Sequence, residues 1–486
     1  LSPDAIGEFV SDTLGKEGGA DEVSTLTEVI YAKTLGNIFF VKQALEELVR
    51  KNALFYDLVM FSWQYNVTKV QLENYLSDDL IQMVQSKIED QPREVKKLVV
   101  IMSLVPNNAT LSTMMALLEC EGVNRFKVQK LIQYATKQGM IIYKKECDKY
   151  AFTHDKIREA SFDIIPQGRP RDKLLVRISR ALIDLASSEG ENEWAFFVAV
   201  DHMNSVLPEF VPRVELSRLN YRVGEMNLVK GATLNANASL LAALSCLTQD
   251  DPSGSGKWKD EYQFTLQLLN RVIVSEFSMG RFEMAFLHVQ DVLENATSLD
   301  DKFTAYLYRM KTMAEGENRD YDIGIAEGLK ICEVYGIKFA KNNPPKKSDL
   351  MKESVQLKAA LHNRPLTVLA DLSLAKDSSI FLLLRELLTY ANIAGSQDLA
   401  AIIAERAIQL ALQEGISKEV MSILSERAGS LSKDLSKLKT ANKFAMAAEN
   451  MARIFRGEKA LYAETRFRLM ATIFVLLRPF RDCLDA

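Results

Sequence analysis

The sequence predicts a mainly α fold, in which helices and small β-hairpins precede a long superhelical array of paired helices. Three observations support this prediction. Gly and Pro are sparse, at 22 and 12 of 486 residues, so few positions break a helix. Apolar residues recur at helical spacing, as in residues 401–413 and 441–452. The β-rich stretches all lie before residue 154. The chain is long enough for about three domains at ~150 residues each.

The composition excludes several classes of protein. Hydrophobic residues make up 48% and charged residues 26%, as in soluble globular proteins. The net charge of −4 is too small to indicate a nucleic-acid or membrane partner. The longest apolar runs, such as 469–477, are shorter than the ~18 residues that a membrane helix needs. Five scattered cysteines without metal-ligand spacing indicate reduced thiols, and we expect a cytoplasmic protein.

Residues 1–90 are predicted to contain four helices and a hairpin. Ser2 as N-cap with Pro3 at the first helical position is a helix start signal, and the Gly-rich stretch 15–19 ends that helix. The following elements are predicted to be helices over 23–35 and 37–50, hinged at Gly36, then a hairpin over 54–65 and a helix over 78–89.

Residues 91–165 have the element order of a winged helix. The predicted elements are helices over 94–104, 110–119 and 125–138, with Gly139 closing the last, then strands over 140–144 and 149–153. Basic residues lie on the third helix and in the wing, where winged helices contact DNA: Arg125, Lys127, Lys130, Lys144, Lys145 and Lys149. A DNA-binding regulator is therefore an alternative, although no cluster of Asn, Gln or Arg suited to base edges accompanies them.

The region 166–486 is predicted to be an α–α superhelical array. Phe282 and Ala285 are followed, 39 residues on (321 − 282 = 39), by Tyr321 and Gly324. This period lies between the ~34 residues of tetratricopeptide repeats and the ~40 of other helical repeats. Small residues at Ala285 and Gly324 would let two helices approach closely. A plain helical scaffold would show the same pattern.

No catalytic or metal site is predicted. The Gly-rich stretch 252–257 lacks the Walker pattern, because Asp251 stands where a Gly is needed and Trp258 where a Ser or Thr is needed, so a flexible surface loop is expected. The histidines have no metal-ligand spacing, and all but the first are expected to be structural: His154, His202, His288 and His362.

The candidate site is the pair His154-Asp155. An apolar run ends at Phe152, and an amphipathic segment begins at Lys156, so the pair is expected between a strand and the first turn of a helix. Asp155 is predicted to be the N-cap of that helix. For His154 two interpretations remain open, a buried structural residue or a sensor that contacts a phosphate.

Three segments together resemble a known family. Residues 32–41 (Ala-Lys-Thr-Leu-Gly-Asn-Ile-Phe-Phe-Val) resemble "kTxGNPFFv", residues 152–160 (Phe-Thr-His-Asp-Lys-Ile-Arg-Glu-Ala) resemble "FxHDrvreA", and residues 201–204 (Asp-His-Met-Asn) resemble "xHlN". These segments are similar to those of the origin-recognition-like AAA/STAND ATPases in very large kinase, histidine-kinase or cyclase proteins. The resemblance is strongest over residues 24–230.

This resemblance implies a division of the chain and of its parent protein. Residues 1–90 would be the helical lid of the ATPase, 91–165 the winged-helix domain with its small β-hairpin, and 166–486 a tetratricopeptide-like array that binds protein partners. The chain begins at Leu1, not at Met, so we expect a piece of a longer protein whose Walker residues lie upstream. The chain alone is not expected to hydrolyse ATP.

The resemblance also implies a nucleotide site shared with that upstream core. Gly36, Asn37 and Ile38 would lie near the adenine of ATP or ADP, with Ile38 where the family has proline. His154 and Asp155 resemble the MHD motif, in which the histidine contacts the β-phosphate of ADP and holds the winged helix closed. Thr153 stands in place of the Met of that motif.

Overall fold

The computed structural model describes residues 1–16, 22–65, 80–106, 109–187, 192–248, 256–339 and 345–477. The chain forms two compact units, Leu1–Leu219 and Asn220–Ala486. Both are built mainly of helices, which confirms the predicted fold class. The proposed division at residues 90 and 165 is a finer one and stays a prediction.

The first unit contains helices and two small hairpins. In chain order its elements are α1 (Pro3–Leu14), α2 (Ser24–Thr34), α3 (Ile38–Arg50), β1 (Leu54–Asp57), β2 (Ser62–Tyr65), α4 (Leu80–Glu89), α5 (Arg93–Ser103), α6 (Leu111–Cys120), α7 (Arg125–Lys137), β3 (Ile141–Lys144), β4 (Lys149–Phe152), α8 (Asp155–Asp163), α9 (Arg169–Ser187) and α10 (Glu193–Asn204). Both hairpins are antiparallel, with Leu54 opposite Tyr65 and Ile141 opposite Phe152. Most bounds lie within two residues of the prediction; the predicted start of α4 at residue 78 is outside the described residues.

Side-chain caps explain where several of these helices begin. The Oγ of Ser2 accepts a hydrogen bond from the Ala5 amide at 3.3 Å, and Pro3 is the first residue of α1, as predicted. The Oγ1 of Thr110 caps α6 in the same way, at 3.2 Å from the Thr113 amide. These bonds satisfy amides that have no partner within the helix, so the local sequence alone fixes both starts.

One continuous apolar core, which runs from α1 to α10, holds the first unit together. Helix α8 packs against α4 and α5. The Nε of Arg158 on α8 donates to the backbone oxygen of Ser103 at the end of α5, at 3.3 Å. The position of α8, and with it the His154-Asp155 pair at its start, is therefore set by core packing as well as by strand β4.

The second unit is an array of successively packed helices. Helix α11 (Arg213–Val229) carries the boundary between the units and leads into α12 (Thr233–Thr248), α13 (Gly256–Asp260), α14 (Tyr262–Ser278), α15 (Phe282–Asn295), α16 (Leu299–Glu315), α17 (Tyr321–Val334), α18 (Lys347–Leu361), a 3₁₀ helix (Leu366–Asp371), α19 (Ser379–Ile393), α20 (Gln397–Glu414), α21 (Lys418–Ser432), a 3₁₀ turn (Leu435–Lys437), α22 (Leu438–Ile454), α23 (Lys459–Leu469), a π-helical turn (Met470–Phe474) and α24 (Val475–Leu477). Within the described part of the array lie three apolar clusters.

The prediction of a flexible surface loop over residues 252–257 is wrong at its end. Residues 249–255 lie outside the described residues, but Gly256 begins helix α13. The Nζ of Lys257 lies 2.6 Å from Oδ2 of Asp291, and its side chain is only 8% exposed. The indole Nε1 of Trp258 donates to the other oxygen of Asp291 at 2.8 Å. The half-buried carboxylate of Asp291 therefore orders this segment, and Lys257 is not free to bind a phosphate.

Close helix packing at Gly324 agrees with the prediction from the repeat. A Cβ atom at this position of α17 would lie 2.4 Å from the Cβ of Ala314 on α16. Ala285, the matching small residue of the preceding repeat, is fully buried on α15. The α16–α17 contact therefore depends on the absence of a side chain at residue 324.

We expect Gly324→Ala to lower the free energy of unfolding by about 1–3 kcal/mol, because the added methyl group must push two backbones apart. Gly457→Ala is the matched control, since a Cβ at Gly457 would meet no atom within 4 Å. Urea unfolding of both variants measures the difference. Equal stability of the two variants would mean that the contact is not tight.

Helix α14 carries a buried acid, Glu276, whose side chain is 1% exposed. Burial raises the pKa of Glu276 to about 7, against the opposing charge of Arg281. Its Oε2 lies 3.6 Å from Nε2 of His288 on α15, and burial lowers the pKa of that imidazole. Both groups are therefore favoured in their neutral forms.

We expect the second unit to lose stability as the pH rises from about 4.5 to about 7. The folded state holds the Glu276 proton more tightly than the unfolded state, whose pKa is near 4.5, so ionisation in the buried site costs up to about 3 kcal/mol. Glu276→Gln should remove this loss, and exposed Glu283→Gln should not. Urea unfolding at about pH 5 and about pH 8 tests this, and the comparison of variants cancels the opposite effect of His288 at lower pH.

Candidate functional site

His154 is the N-cap of helix α8. Its backbone is extended (φ −150°, ψ 144°), and its ring Nδ1 accepts a hydrogen bond from the Lys156 amide at 3.1 Å. The prediction that Asp155 caps this helix is therefore wrong. The reason is geometric: Nδ1 of a histidine is as many bonds from Cα as a carboxylate oxygen of aspartate, so either residue can cap. Asp155 is instead the exposed first residue of α8, where its charge favours the helix dipole.

The cap determines which ring nitrogen carries the proton. Because Nδ1 accepts a hydrogen bond, a neutral His154 has its proton on Nε2. No described residue forms a hydrogen bond with this Nε2. The half-buried imidazole can therefore donate one hydrogen bond to a ligand without giving up its cap.

The imidazole of His154 stacks on the ring of Phe39. The ring centroids are 4.3 Å apart, with an angle of 10° between the planes. Phe40, which is 5% exposed, meets the same imidazole edge-on at 5.9 Å. Both phenylalanines lie in the first resemblance segment, but the sequence pattern did not predict their contact with His154. The signal that could have indicated it is an aromatic pair directly after the residues expected near the adenine.

The segment Gly36-Asn37-Ile38 directly precedes these rings. Gly36 has a φ of +80°, and a Cβ there would lie 2.2 Å from the backbone oxygen of Leu1, so only glycine fits. Asn37 caps α3 through Oδ1, which accepts from the Phe39 amide at 3.0 Å. Ile38 is the first residue of α3, a position that accepts proline readily, so the helix starts there without the proline of the resembling family.

The third segment of the resemblance lines a cleft next to the first turns of α8. The cleft has a volume of about 460 Å³, and its lining includes Asp155, Arg158 and His202. Burial lowers the pKa of His202, although Asp201 beside it acts in the opposite direction. Its Nδ1 is buried and has no hydrogen-bond partner among the described residues. The structure thus brings together residues from all three segments within the first unit.

The remaining candidates are weaker. Lys127, one of the basic residues on α7, forms an exposed ion pair with Glu94 at 3.3 Å, which reduces the positive charge of that helix. The described ranges contain no cluster of side chains suited to bind a metal ion. None of the helices in those ranges has the length and apolarity needed to span a membrane.

Comparison with known proteins gives two weak matches, and no family model matches the chain. A hybrid signal transduction histidine kinase G of Dictyostelium discoideum is 18% identical over 342 residues, which cover 59% of this chain. The match spans only 10% of the length of that histidine kinase.

The structural match is the crystal structure of a Signal Transduction ATPase with Numerous Domains (STAND) protein with a tetratricopeptide repeat sensor from Pyrococcus horikoshii. It is 14% identical, and the match covers 99% of this chain and 70% of that one with a TM-score of 0.28. Such a low TM-score supports no inference about architecture.

Proposed function

We propose that this chain is the regulatory part of a signalling ATPase, with no complete catalytic site of its own. Residues 1–90 act as the lid of the ATPase and residues 91–165 as its winged helix. A core upstream of Leu1 supplies the phosphate loop for ATP or ADP. The helical array over 166–486 binds protein partners, and an effector domain elsewhere in the parent protein, such as a kinase or cyclase, gives the output.

The stack of His154 on Phe39 is the observation that best supports this proposal. It joins the start of α8 to the start of α3, where Gly36 and Asn37 form the turn expected near the adenine. The two parts of the expected nucleotide site are therefore in contact with each other. We propose that a nucleotide bound at the Gly36–Ile38 turn extends its phosphates towards the His154 ring.

The cap and the stack suit His154 to sense a phosphate. Both contacts hold the imidazole before a ligand arrives, which lowers the entropic cost of binding. The remaining donor, Nε2–H, would pair with the β-phosphate of ADP and tie α8 to the nucleotide. Exchange of ADP for ATP would break this tie. Such a change requires the two nucleotides to differ in their affinity for the closed arrangement, because only a difference of that kind can shift the equilibrium between two conformations.

Exposed apolar residues support a partner-binding role for the array. Met351 and Val355 are 72% and 65% exposed, and they lie one turn apart on the same face of α18. We propose that a protein partner covers this apolar pair.

Substitution of His154 in the longer protein, including its upstream core, tests the sensor role. We expect His154→Asn to keep the cap, since Asn is a good N-cap, but to lose the Nε2 donor. Because a hydrogen bond to a charged group contributes about 1.5–3 kcal/mol, ADP should dissociate at least about tenfold faster from this variant. His154→Ala should also lose about 1 kcal/mol of stability with the cap.

Release of a fluorescent ADP analogue, measured alongside urea unfolding, separates the two effects. The exposed His362, at the end of α18 in the second unit, provides the control variant His362→Asn. If His154→Asn retains ADP as long as the parent protein does, His154 is a structural cap only and the sensor role is excluded.

A further inference from the structure

The second unit contains a pocket with the size of a small-molecule site. It lies between α18, the 3₁₀ helix after it, α20, α21 and α22, and its volume is about 850 Å³. Sites for small ligands span about 300–1,000 Å³. Apolar side chains form much of its wall: Leu357, Leu361, Leu366, Phe444 and Met446.

The charged groups that line this pocket are mostly positive. Among the described residues that line it, Lys358, Arg364, Arg427 and Lys443 are accompanied by one carboxylate, Glu405, which leaves a formal charge of +3 (4 − 1 = 3). The chain as a whole has a net charge of −4, so the pocket differs in sign from the rest of the protein. Lys358 and Lys443 are exposed and have no ion pair or hydrogen bond with any described residue. The rim therefore presents two available ammonium groups.

Arg427, inside the pocket, has unmet hydrogen-bond donors. Its side chain is 13% exposed, and one Nη lies 3.5 Å from an oxygen of Glu405, a long ion pair. The other oxygen of Glu405 accepts from Ser354 Oγ at 2.7 Å. The Nε of Arg427 is buried and has no hydrogen-bond partner within the described residues. A guanidinium has five N–H donors, and leaving them unpaired in a buried site is costly.

We propose that this pocket binds a small organic anion, whose carboxylate or phosphate group pairs with Arg427 while its apolar body contacts the wall around Phe444. The fork of N–H donors on arginine fits either anionic group in a two-point contact. The rim lysines attract the anion, and the apolar wall selects ligands that carry a hydrophobic group over bare inorganic ions. This site would make the array a receptor for a metabolite as well as for protein partners.

The proposal is independent of the nucleotide-sensing role. Its residues lie between 354 and 446, in the second unit, whereas the nucleotide contacts are expected at residues 36–38 and 154, in the first. The variant His154→Asn should therefore bind the organic anion with unchanged affinity. Failure of one proposal leaves the other standing.

Calorimetric titration of residues 1–486 with four probes tests the ligand class. Phenyl phosphate and benzoate combine an anionic group with a ring, whereas inorganic phosphate and benzyl alcohol each supply one part. We expect at least one of the two aromatic anions to bind about tenfold or more tightly than either partial probe, a difference of ~1.4 kcal/mol. The stronger of the two identifies phosphate or carboxylate as the recognised group.

Variants of the charged residues test whether the anion binds in this pocket. The double variant Lys358→Gln/Lys443→Gln should bind the preferred probe about tenfold more weakly. Its matched control is Lys352→Gln/Lys439→Gln. These two lysines are exposed on the same helices, α18 and α22, but they do not line the pocket. Arg427→Lys keeps the charge but loses the fork, and should also weaken binding while its thermal melting reports on folding. Equal binding by both double variants, or no binding of either aromatic anion at about 10 mM, would overturn the proposal.

Discussion

The contact between His154 and Phe39 is the interaction on which the candidate site depends. It lies between two helix starts, each fixed by a side-chain cap: Asn37 at α3 and His154 itself at α8. An aromatic pair contributes about 0.5–1.5 kcal/mol beyond its burial, and a cap about 1 kcal/mol. Energies of this size hold the ring in one orientation. They are also small enough for a ligand that binds Nε2 to change the balance between two arrangements of the helices.

The starts of helices show how far local sequence determines the structure. Ser2, Asn37 and Thr110 each precede a helix and cap it, and a cap acts within three residues of its own position, so the sequence predicts these starts. His154 and Asp155 form the instructive exception. Both side chains can cap, and the choice depends on where strand β4 ends, since Phe152 pairs with Ile141 across the hairpin. The hairpin therefore places the helix cap at His154, one residue before the predicted cap.

Contacts between distant segments could not be predicted in the same way. Phe39 and His154 are 115 residues apart (154 − 39 = 115), and nothing in the local pattern of either residue specifies the other. The resemblance includes the segments of both residues, but it does not predict that their rings stack. In the array, the repeat spacing did predict the close approach at Gly324, because the absence of a side chain is visible in the sequence. It did not predict that Asp291 orders Lys257, since helical periodicity indicates which face is buried and not which charges meet.

Two buried ion pairs of the array illustrate why only one of them indicates a ligand. Glu353 is paired with Arg406, whose Nε lies 3.1 Å from Oε2, and Gln409 donates to the same carboxylate at 3.0 Å. Its charge is compensated by neighbours, so this pair needs no further partner. The pair of Arg427 and Glu405 is long, at 3.5 Å, and leaves a buried Nε without a partner among the described residues, at the wall of an 850 Å³ pocket. Burial lowers the pKa of Arg427, although the neighbouring Glu405 acts in the opposite direction. An anionic ligand would complete the compensation that Glu405 supplies only in part.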